Sequence, residues 1–326
     1  MLLAAGRGVR FRPVTEAVPK PLFPYLNVPL VRAHLARLAE AGVTEAGINL
    51  HHLGDAIEKY LGEQPGPAPP VRFFREPKIL GTAGALANAA DWLREGDDAD
   101  DFLVVNADAA IDPDFPALLA RHRESRRAAT LLVTENPEPA RFTPLGSERD
   151  RIVSFGGQPA WPLLYTGVCV LSPRLLERIP DGERQLVSDL WQPLLEQGRE
   201  EIGWLLHEGP FSDLGTPRDF LRASRQALTR GGPFGASAGK FDPPARVLSL
   251  AQSKGFEAVS SVVGRASIGR GARLIESVVW DGVEIGAGAE LRGCIAAAGR
   301  IPAGASHRDA LLWSREGGTA AAYPLN

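Results

Sequence analysis

Cysteine is scarce: Cys169 and Cys294 are the two in 326 residues, far apart and each in apolar surroundings. They offer neither a metal-ligand spacing nor a disulfide framework, which fits a reducing, cytoplasmic setting. Long hydrophobic runs are missing too; none approaches the ~18 residues of a membrane-spanning helix. No basic segment precedes the first apolar residues, so Met1 to Ala5 does not read as a signal peptide. There is no excess of positive charge either. The formal net charge is −3, and with basic residues clustered only locally, nucleic acid is not an expected partner. What is present is 44% hydrophobic and 23% charged residues, the balance of an ordinary soluble protein, in a length that predicts about two domains. So few residues precede Gly6 that a buried strand of the usual five or six or so residues barely fits. The expectation is a chain that begins late, its first strand short or partly missing.

Against that background the opening stretch stands out. Leu2-Leu3-Ala4-Ala5 ends in Gly6-Arg7-Gly8, Arg10 and Arg12 alternate with small or apolar residues, and Lys20 lies between Pro19 and Pro21. Glycines allow φ values and close approaches that a Cβ would block, so successive N–H groups can converge on phosphate oxygens. Arg10, Arg12 and Lys20 would add full charges to those partial ones. The stretch reads as an anion site.

Downstream, helix and strand patterns alternate. Helices are predicted over 28–41 and 55–61, strands over 45–50 and 71–74, and a proline-rich surface loop over 64–70, which implies a mainly parallel sheet covered on both faces. A second glycine turn, Gly81-Thr82-Ala83-Gly84, follows Glu76 and opens a helix to about Leu93; both turns fall where a crevice forms beyond the carboxyl ends of parallel strands. Asp97 to Asp101 reads as a solvated acidic loop. Phe102-Leu103-Val104-Val105 is the clearest buried strand, and it ends in Asn106-Ala107-Asp108, a carboxylate at a strand tip suited to a metal or ligand. Asp112 and Asp114 are expected to cap a helix over 116–126. Strands follow over 130–134, 163–171 and 201–206, with a hairpin-like excursion over 141–155 and helical patches over 173–179 and 186–197. Asp213-Leu214-Gly215-Thr216-Pro217 leads into a helix over 218–229, and Asp213 is the natural partner of Asp108.

The domain division is 1–229 for the α/β part, 230–258 for a linker that begins rich in Gly, Pro, Ala and Ser, and 259–326 for a repeat domain with a tail. In the last, an aliphatic residue recurs every sixth position from Val262, often followed by Gly, and resumes after a phase slip at Val279, Ile285 and Leu291. That is the pattern of a hexapeptide parallel β-helix of about three coils. So short a solenoid must be capped or packed on something; His307 to Asn326 is either its cap or a loose tail, and self-association is a further expectation.

Taken together, Gly6-x-Gly8-x-Arg10-x-x-Pro13-x-Thr15 with Pro19-Lys20-Pro21, Gly81-Thr82-Ala83-Gly84, Asn106-Ala107-Asp108 and Asp213-x-Gly215-Thr216-Pro217 resemble, in content and order, the sugar-1-phosphate nucleotidylyltransferases. The repeat tail resembles that of the mannose-1-phosphate guanylyltransferase branch. The resemblance implies a Rossmann-like, mainly parallel mixed sheet with helices on both faces, plus a short left-handed parallel β-helix. It implies attack of a sugar-phosphate oxygen on the α-phosphorus of an NTP, giving nucleotide sugar and pyrophosphate, with Mg²⁺ as cofactor and no covalent nucleophile. GTP with mannose 1-phosphate is the first expectation, and a uridylyl- or thymidylyltransferase acting on another sugar 1-phosphate is the alternative. By the same resemblance Arg10 and Lys20 are catalytic, and Asp108 and Asp213 hold the metal. Ala4, Ala5, Gly6, Gly8, Arg10, Glu76, Gly81, Thr82 and Ala83 bind the nucleotide, and Asn106, Tyr165, Thr166 and Gly167 line the sugar pocket.

The sequence departs from the family pattern at two places. Ala107 stands where the family has Gly, and Gly156-Gly157-Gln158-Pro159 replaces a Glu-Lys-Pro whose lysine binds the sugar phosphate, leaving Arg141 as a substitute. The same loss, with the run Asn49 to Gly54, resembles the N-acetylmuramate-1-phosphate uridylyltransferase branch. Two rival readings are a non-catalytic, nucleotide-sugar-binding regulator and a bifunctional acyltransferase. The histidines His51, His52, His207 and His307 read as structural.

Overall fold

The computed structural model describes residues 1–95, 101–198, 201–234, 246–253 (backbone only) and 255–325. The acidic loop expected over 97–101 lies, apart from Asp101, outside them.

The first strand is short: Leu2–Leu3, two residues forming the third strand of a nine-stranded sheet. Leu2 pairs in parallel with Ile48 on one side and Val105 on the other, and Leu3 with Asn49 and Asn106. Successive side chains on a strand point to opposite faces, so Leu2 packs with Val31, Leu35, Ile57 and Phe115 of the helices on one face. Leu3 packs with Leu86, Leu93, Val104 and Trp191 on the other. Both faces are covered and both cores meet at this strand.

The sheet order is Val71–Arg75, Ala46–Leu50, Leu2–Leu3, Phe102–Asn106, Leu163–Leu171, Ala129–Glu135, Ile202–Leu206, Arg151–Phe155, Leu145–Glu148. The first four strands are mutually parallel. Leu163–Leu171 runs antiparallel to both neighbours, so the sheet is mixed. The excursion after 141 is the antiparallel pair Leu145–Glu148 and Arg151–Phe155. Helices Leu30–Glu40, Gly54–Glu63 and Phe115–Ser125 cover one face; Gly81–Asn88, Ala90–Leu93 and the 187–196 segment cover the other. Asp114 caps its helix by accepting from Ala117 N–H at 2.9 Å. Asp112 does not cap; it accepts from Phe234 N–H at 2.8 Å and faces Arg37. Its position two residues before the N-cap puts it outside capping reach and leaves it for a tertiary partner.

The C-terminal strands stack in parallel on three faces, with 257, 273, 290 and 306 in register on one. These residues lie 16, 17 and 16 apart, so the coil is shorter than three full hexads and some sides take five residues; the phase slip in the sequence reflects this. Leu274, Leu291, Val279, Ile285, Ile301 and Leu312 fill the interior. Within the stretch expected as a linker, helix Pro217–Arg230 ends at its start, 235–245 lie outside the described residues, and strand 246–253 pairs antiparallel with Phe256–Val263. At the far end Ala321–Pro324 folds back antiparallel on Ala310–Trp313, so the described tail is a cap.

The two lobes share one apolar cluster. Phe11, Val14 and Phe23, from just behind the glycine loop, meet Phe220, Trp280, Ile295 and Leu311. Phe23 packs edge-on to Trp280 at 5.0 Å and to Phe11 at 4.7 Å, a favoured aromatic geometry. Asn27 donates to Val263 O at 2.8 Å, Arg218 to Leu325 O, and Arg225 pairs with Glu276. Among the described residues no helix is long and apolar enough to cross a membrane.

Candidate active site

The carboxyl ends of the four parallel strands open on a cleft of about 620 Å³, lined by Leu3 to Val9, Lys20, Pro21, Asn49, Glu76, Gly81, Thr82, Asn106 and Asp108 among others. The first glycine loop leaves strand Leu2–Leu3 directly into it. Ala4 N–H is taken by Asn49 Oδ1 at 2.7 Å, while the N–H groups of Gly6, Arg7 and Gly8 find no acceptor among the described residues. Unpaired backbone donors at a cleft are what an anion needs. The loop is held in shape by Thr15, whose hydroxyl donates to Gly8 O at 2.9 Å. Gly8 has φ +58°, and a Cβ there would lie 2.8 Å from the Thr15 methyl; position 8 therefore requires glycine.

Lys20 is 5% exposed and donates to Asp108 Oδ2 at 2.8 Å. Desolvation alone would push the Asp108 carboxyl up, but Lys20, with help from Arg10, holds it below the usual carboxylate range. Asp213 arrives from a separate two-stranded sheet in which it pairs with Ala109. His34, kept neutral by burial with its pKa lowered to about 4, donates from Nε2 to Ala109 O at 2.9 Å and steadies that pairing. Asp213 shifts the opposite way: burial, then the charge of Asp108, raises its carboxyl despite Lys20 and Arg10. It lines a neighbouring cavity of about 300 Å³ rather than the larger cleft. Arg10 bridges the motifs, since its guanidinium lies where a Cβ on Gly215 would come within 2.5 to 3.0 Å. The glycine two residues after the aspartate of the last motif thus leaves room for the Arg10 guanidinium.

Not every expected residue faces the cleft. Ala83 is fully buried, its N–H bonded to Arg184 O at 2.9 Å. Glu76 lines the wall, but its Oε1 accepts from Asn49 at 2.8 Å and its Oε2 from Leu80 N–H at 3.0 Å. Tyr165 packs edge-on to Trp191 and donates to Cys169 Sγ at 3.4 Å; Thr166 donates to Leu132 O at 2.8 Å. Gly167 (φ +85°) stands where a Cβ would come within 2.7 to 3.0 Å of the Asn106 side chain, so it makes room for a cleft residue. Arg141 pairs with the buried Asp219 and with Glu138, so the substitute considered for the missing lysine is already engaged. His51 and His52 bond to the carbonyls of Glu76 and Thr15, a structural use. Lys78, Glu183 and Gln185 line the cleft without having been expected there. The last two come from a turn about a hundred residues beyond Thr82, and no local signal announces them.

A family model described as nucleotidyl transferase matches residues 1–230. The chain belongs to the sugar-1-phosphate nucleotidylyltransferase family. Among the relatives of this family member, the mannose-1-phosphate guanylyltransferase of Mycobacterium tuberculosis is 30% identical over 295 residues, 88% of this chain and 81% of that protein. The mannose-1-phosphate guanyltransferase beta-B of Xenopus laevis is 30% identical over 227 residues, 68% of this chain and 62% of that one. The UTP–glucose-1-phosphate uridylyltransferase of Synechocystis is 28% identical over 254 residues, 71% and 63% of the two. The chain thus spans less than two thirds of the length of these last two. The crystal structure of HddC from Yersinia pseudotuberculosis superposes with a TM-score of 0.59 at 23% identity, covering 69% of this chain and 97% of that one; that likeness is of fold.

Proposed function

We propose that this nucleotidylyltransferase joins GTP to mannose 1-phosphate, releasing pyrophosphate. One observation carries the reading: free loop N–H groups, Arg10, Lys20, Asp108 and Asp213 come from distant parts of the chain to neighbouring positions at the strand ends. A phosphate oxygen of the sugar phosphate forms a bond to the α-phosphorus, the α-to-β bridging bond breaks, and pyrophosphate leaves. Such a displacement needs alignment and charge neutralisation more than a nucleophile. Gly6, Arg7 and Gly8 would cradle the triphosphate, Arg10 would neutralise the departing pyrophosphate, and Lys20 would exchange Asp108 for the α-phosphate and the attacking oxygen.

Asp108 and Asp213 fit a Mg²⁺ ion. Both are hard oxygen donors, and Asp213 is a carboxyl raised by burial with no hydrogen bond among the described residues, a condition that a cation relieves. Among the described residues no cluster of three or more potential ligands exists, so phosphate oxygens and water would complete the shell. When bound, the ion supplies charge neutralisation on phosphate oxygens.

The mannose and GTP choice is supported by the guanylyltransferase names among the relatives, and the uridylyltransferase relative favours UTP with another sugar 1-phosphate as second reading. A pyrophosphate-release panel crossing five NTPs with a set of sugar 1-phosphates tests both. Fastest release with GTP and mannose 1-phosphate is expected. Release with none, alongside binding of a nucleotide sugar, replaces this reading with that of a regulatory homologue.

A further inference from the structure

The wall of the cleft that receives the Gly6 to Gly8 loop also carries an amide whose orientation the chain itself dictates. Gln185 Oε1 accepts from the backbone N–H of Thr82 at 3.4 Å and from its hydroxyl at 3.2 Å. A backbone N–H only donates, so the oxygen end must face Thr82 and Nε2 must face away. The Thr82 hydroxyl is itself committed, because its oxygen accepts Leu186 N–H at 2.8 Å and its proton is left for Gln185. No described residue accepts from Gln185 Nε2. Gly81, at φ +74°, lets the turn at Arg184 and Gln185 come close; a Cβ there would run into the Arg184 carbonyl and lie 2.6 Å from Nε2.

Gln185 and Glu183 line the same cleft as the Gly6 to Gly8 loop. A triphosphate gripped at that loop and at Lys20 leaves its base to reach along the cleft toward Gly81, Thr82 and Gln185. Glu76, another polar group lining the cleft, has both carboxylate oxygens engaged.

We infer that Gln185 reads the edge of the nucleobase, its fixed amide hydrogens selecting bases that present, beside a ring N–H, a carbonyl where adenine and cytosine carry their amino group: guanine, uracil or thymine. Adenine and cytosine present an amino group at the corresponding position, donor against donor. Glu183, two residues earlier on the same wall, supplies an acceptor for the ring N–H that adjoins such a carbonyl. Guanine adds an exocyclic amino group to that N–H and gives a carboxylate two donors, so the pair ranks guanine first. The inference rests on the nucleotidylyltransferase reading for the place of the triphosphate, and it deepens that reading by naming the side chains that choose a keto base.

The test measures equilibrium binding of GTP, UTP, dTTP, ATP and CTP to the full chain beside pyrophosphate release. The wild type is expected to bind the three keto-base nucleotides about tenfold or more tightly than the other two, the scale of one misplaced hydrogen bond. Gln185→Glu keeps an acceptor for Thr82 but replaces the free donor by an acceptor, so GTP binding falls by a similar factor while ATP binding rises. Gln185→Ala flattens the preference without inverting it. Equal binding of all five nucleotides by the wild type overturns the inference while leaving the transferase reading intact. So does a Gln185→Glu variant that weakens all five alike, which marks Gln185 as a bolt between two turns. Absence of pyrophosphate release with a retained keto preference in binding sinks the transferase reading instead.

Discussion

At the strand ends of the α/β lobe charged side chains converge on one another: Lys20 is almost wholly buried, the half-exposed Asp108 is paired to it, and Arg10, itself exposed, is laid over Gly215 near Asp213. In the β-helix they turn outward along the rungs, where Arg273 lies between Glu257 and Glu290, Arg265 beside Asp281 and Arg300 beside Glu284. The same residue types therefore do different work. Charges held in partial burial interact strongly and shift one another's protonation, whereas exposed pairs are screened by water and salt. The β-helix offers the active lobe an apolar face instead, through Trp280 and its neighbours beneath the loop. The difference teaches that the charged cluster belongs to one lobe and part of its apolar backing to the other.

The comparison breaks first at Trp280. Trp280→Ala removes a buried aromatic shared by both lobes and should cost about 3–5 kcal/mol in denaturant unfolding, with turnover of the folded fraction reduced because Phe23 and Phe11 lose their backing. A cost under about 1 kcal/mol would mean that the lobes are independent bodies, since buried aromatic truncations exceed that.

Asp213→Asn comes next. Turnover should fall about 100-fold or more, because metal charge stabilisation supplies several kcal/mol and each ~1.4 kcal/mol is tenfold. Mg²⁺ should raise the melting temperature of the wild type and not of the variant; an equal rise in both would remove Asp213 from the metal site.

The two aspartates should also differ in sign. Asp213 has a raised carboxyl, so the folded state binds more protons there than the unfolded one. Wild-type stability is thus lost at this site as pH rises from the unfolded to the folded pKa. Asp213→Asn should stabilise the metal-free protein at neutral pH, with the gain fading on acidification. Asp108 has a lowered carboxyl, so its contribution is present above the unfolded carboxylate pKa and is lost as pH falls through the folded value. Asp108→Asn should destabilise at neutral pH. Unfolding curves at several pH values check both, and variants that move the same way would contradict the assignment. Last and smallest, Arg273→Ala on the β-helix should leave the melting temperature unchanged within error, because its partners are exposed.

Much of the fold was legible. The alternation of helix and strand patterns, the buried run Phe102 to Val105 and the six-residue recurrence each follow from side-chain periodicity, which is a local property. The coil length was not: adjacent faces turn after five or six residues, and only the stacking of one coil on the next decides which. The same limit applied to the site. Gly8, Lys20, Asp108 and Asp213 could be singled out as candidates because their neighbours in sequence mark them. The partners that alter them were not, since Arg10 over Gly215 and Arg141 against Asp219 depend on contacts between distant segments.

The sequence by itself determined the glycine loop, the order of its motifs and the two-lobed plan, because backbone freedom, hydrophobic period and charge are carried by neighbouring residues. Only the tertiary structure decided which polar groups are left free. Packing engaged Glu76, Arg141 and Ala83 with protein partners and left the Gly6 to Gly8 amides, the Asp213 carboxyl and the Gln185 amide nitrogen without any among the described residues. A hydrogen-bonding group is available to a ligand only where the fold has not already satisfied it, and that balance is struck between residues far apart in the chain.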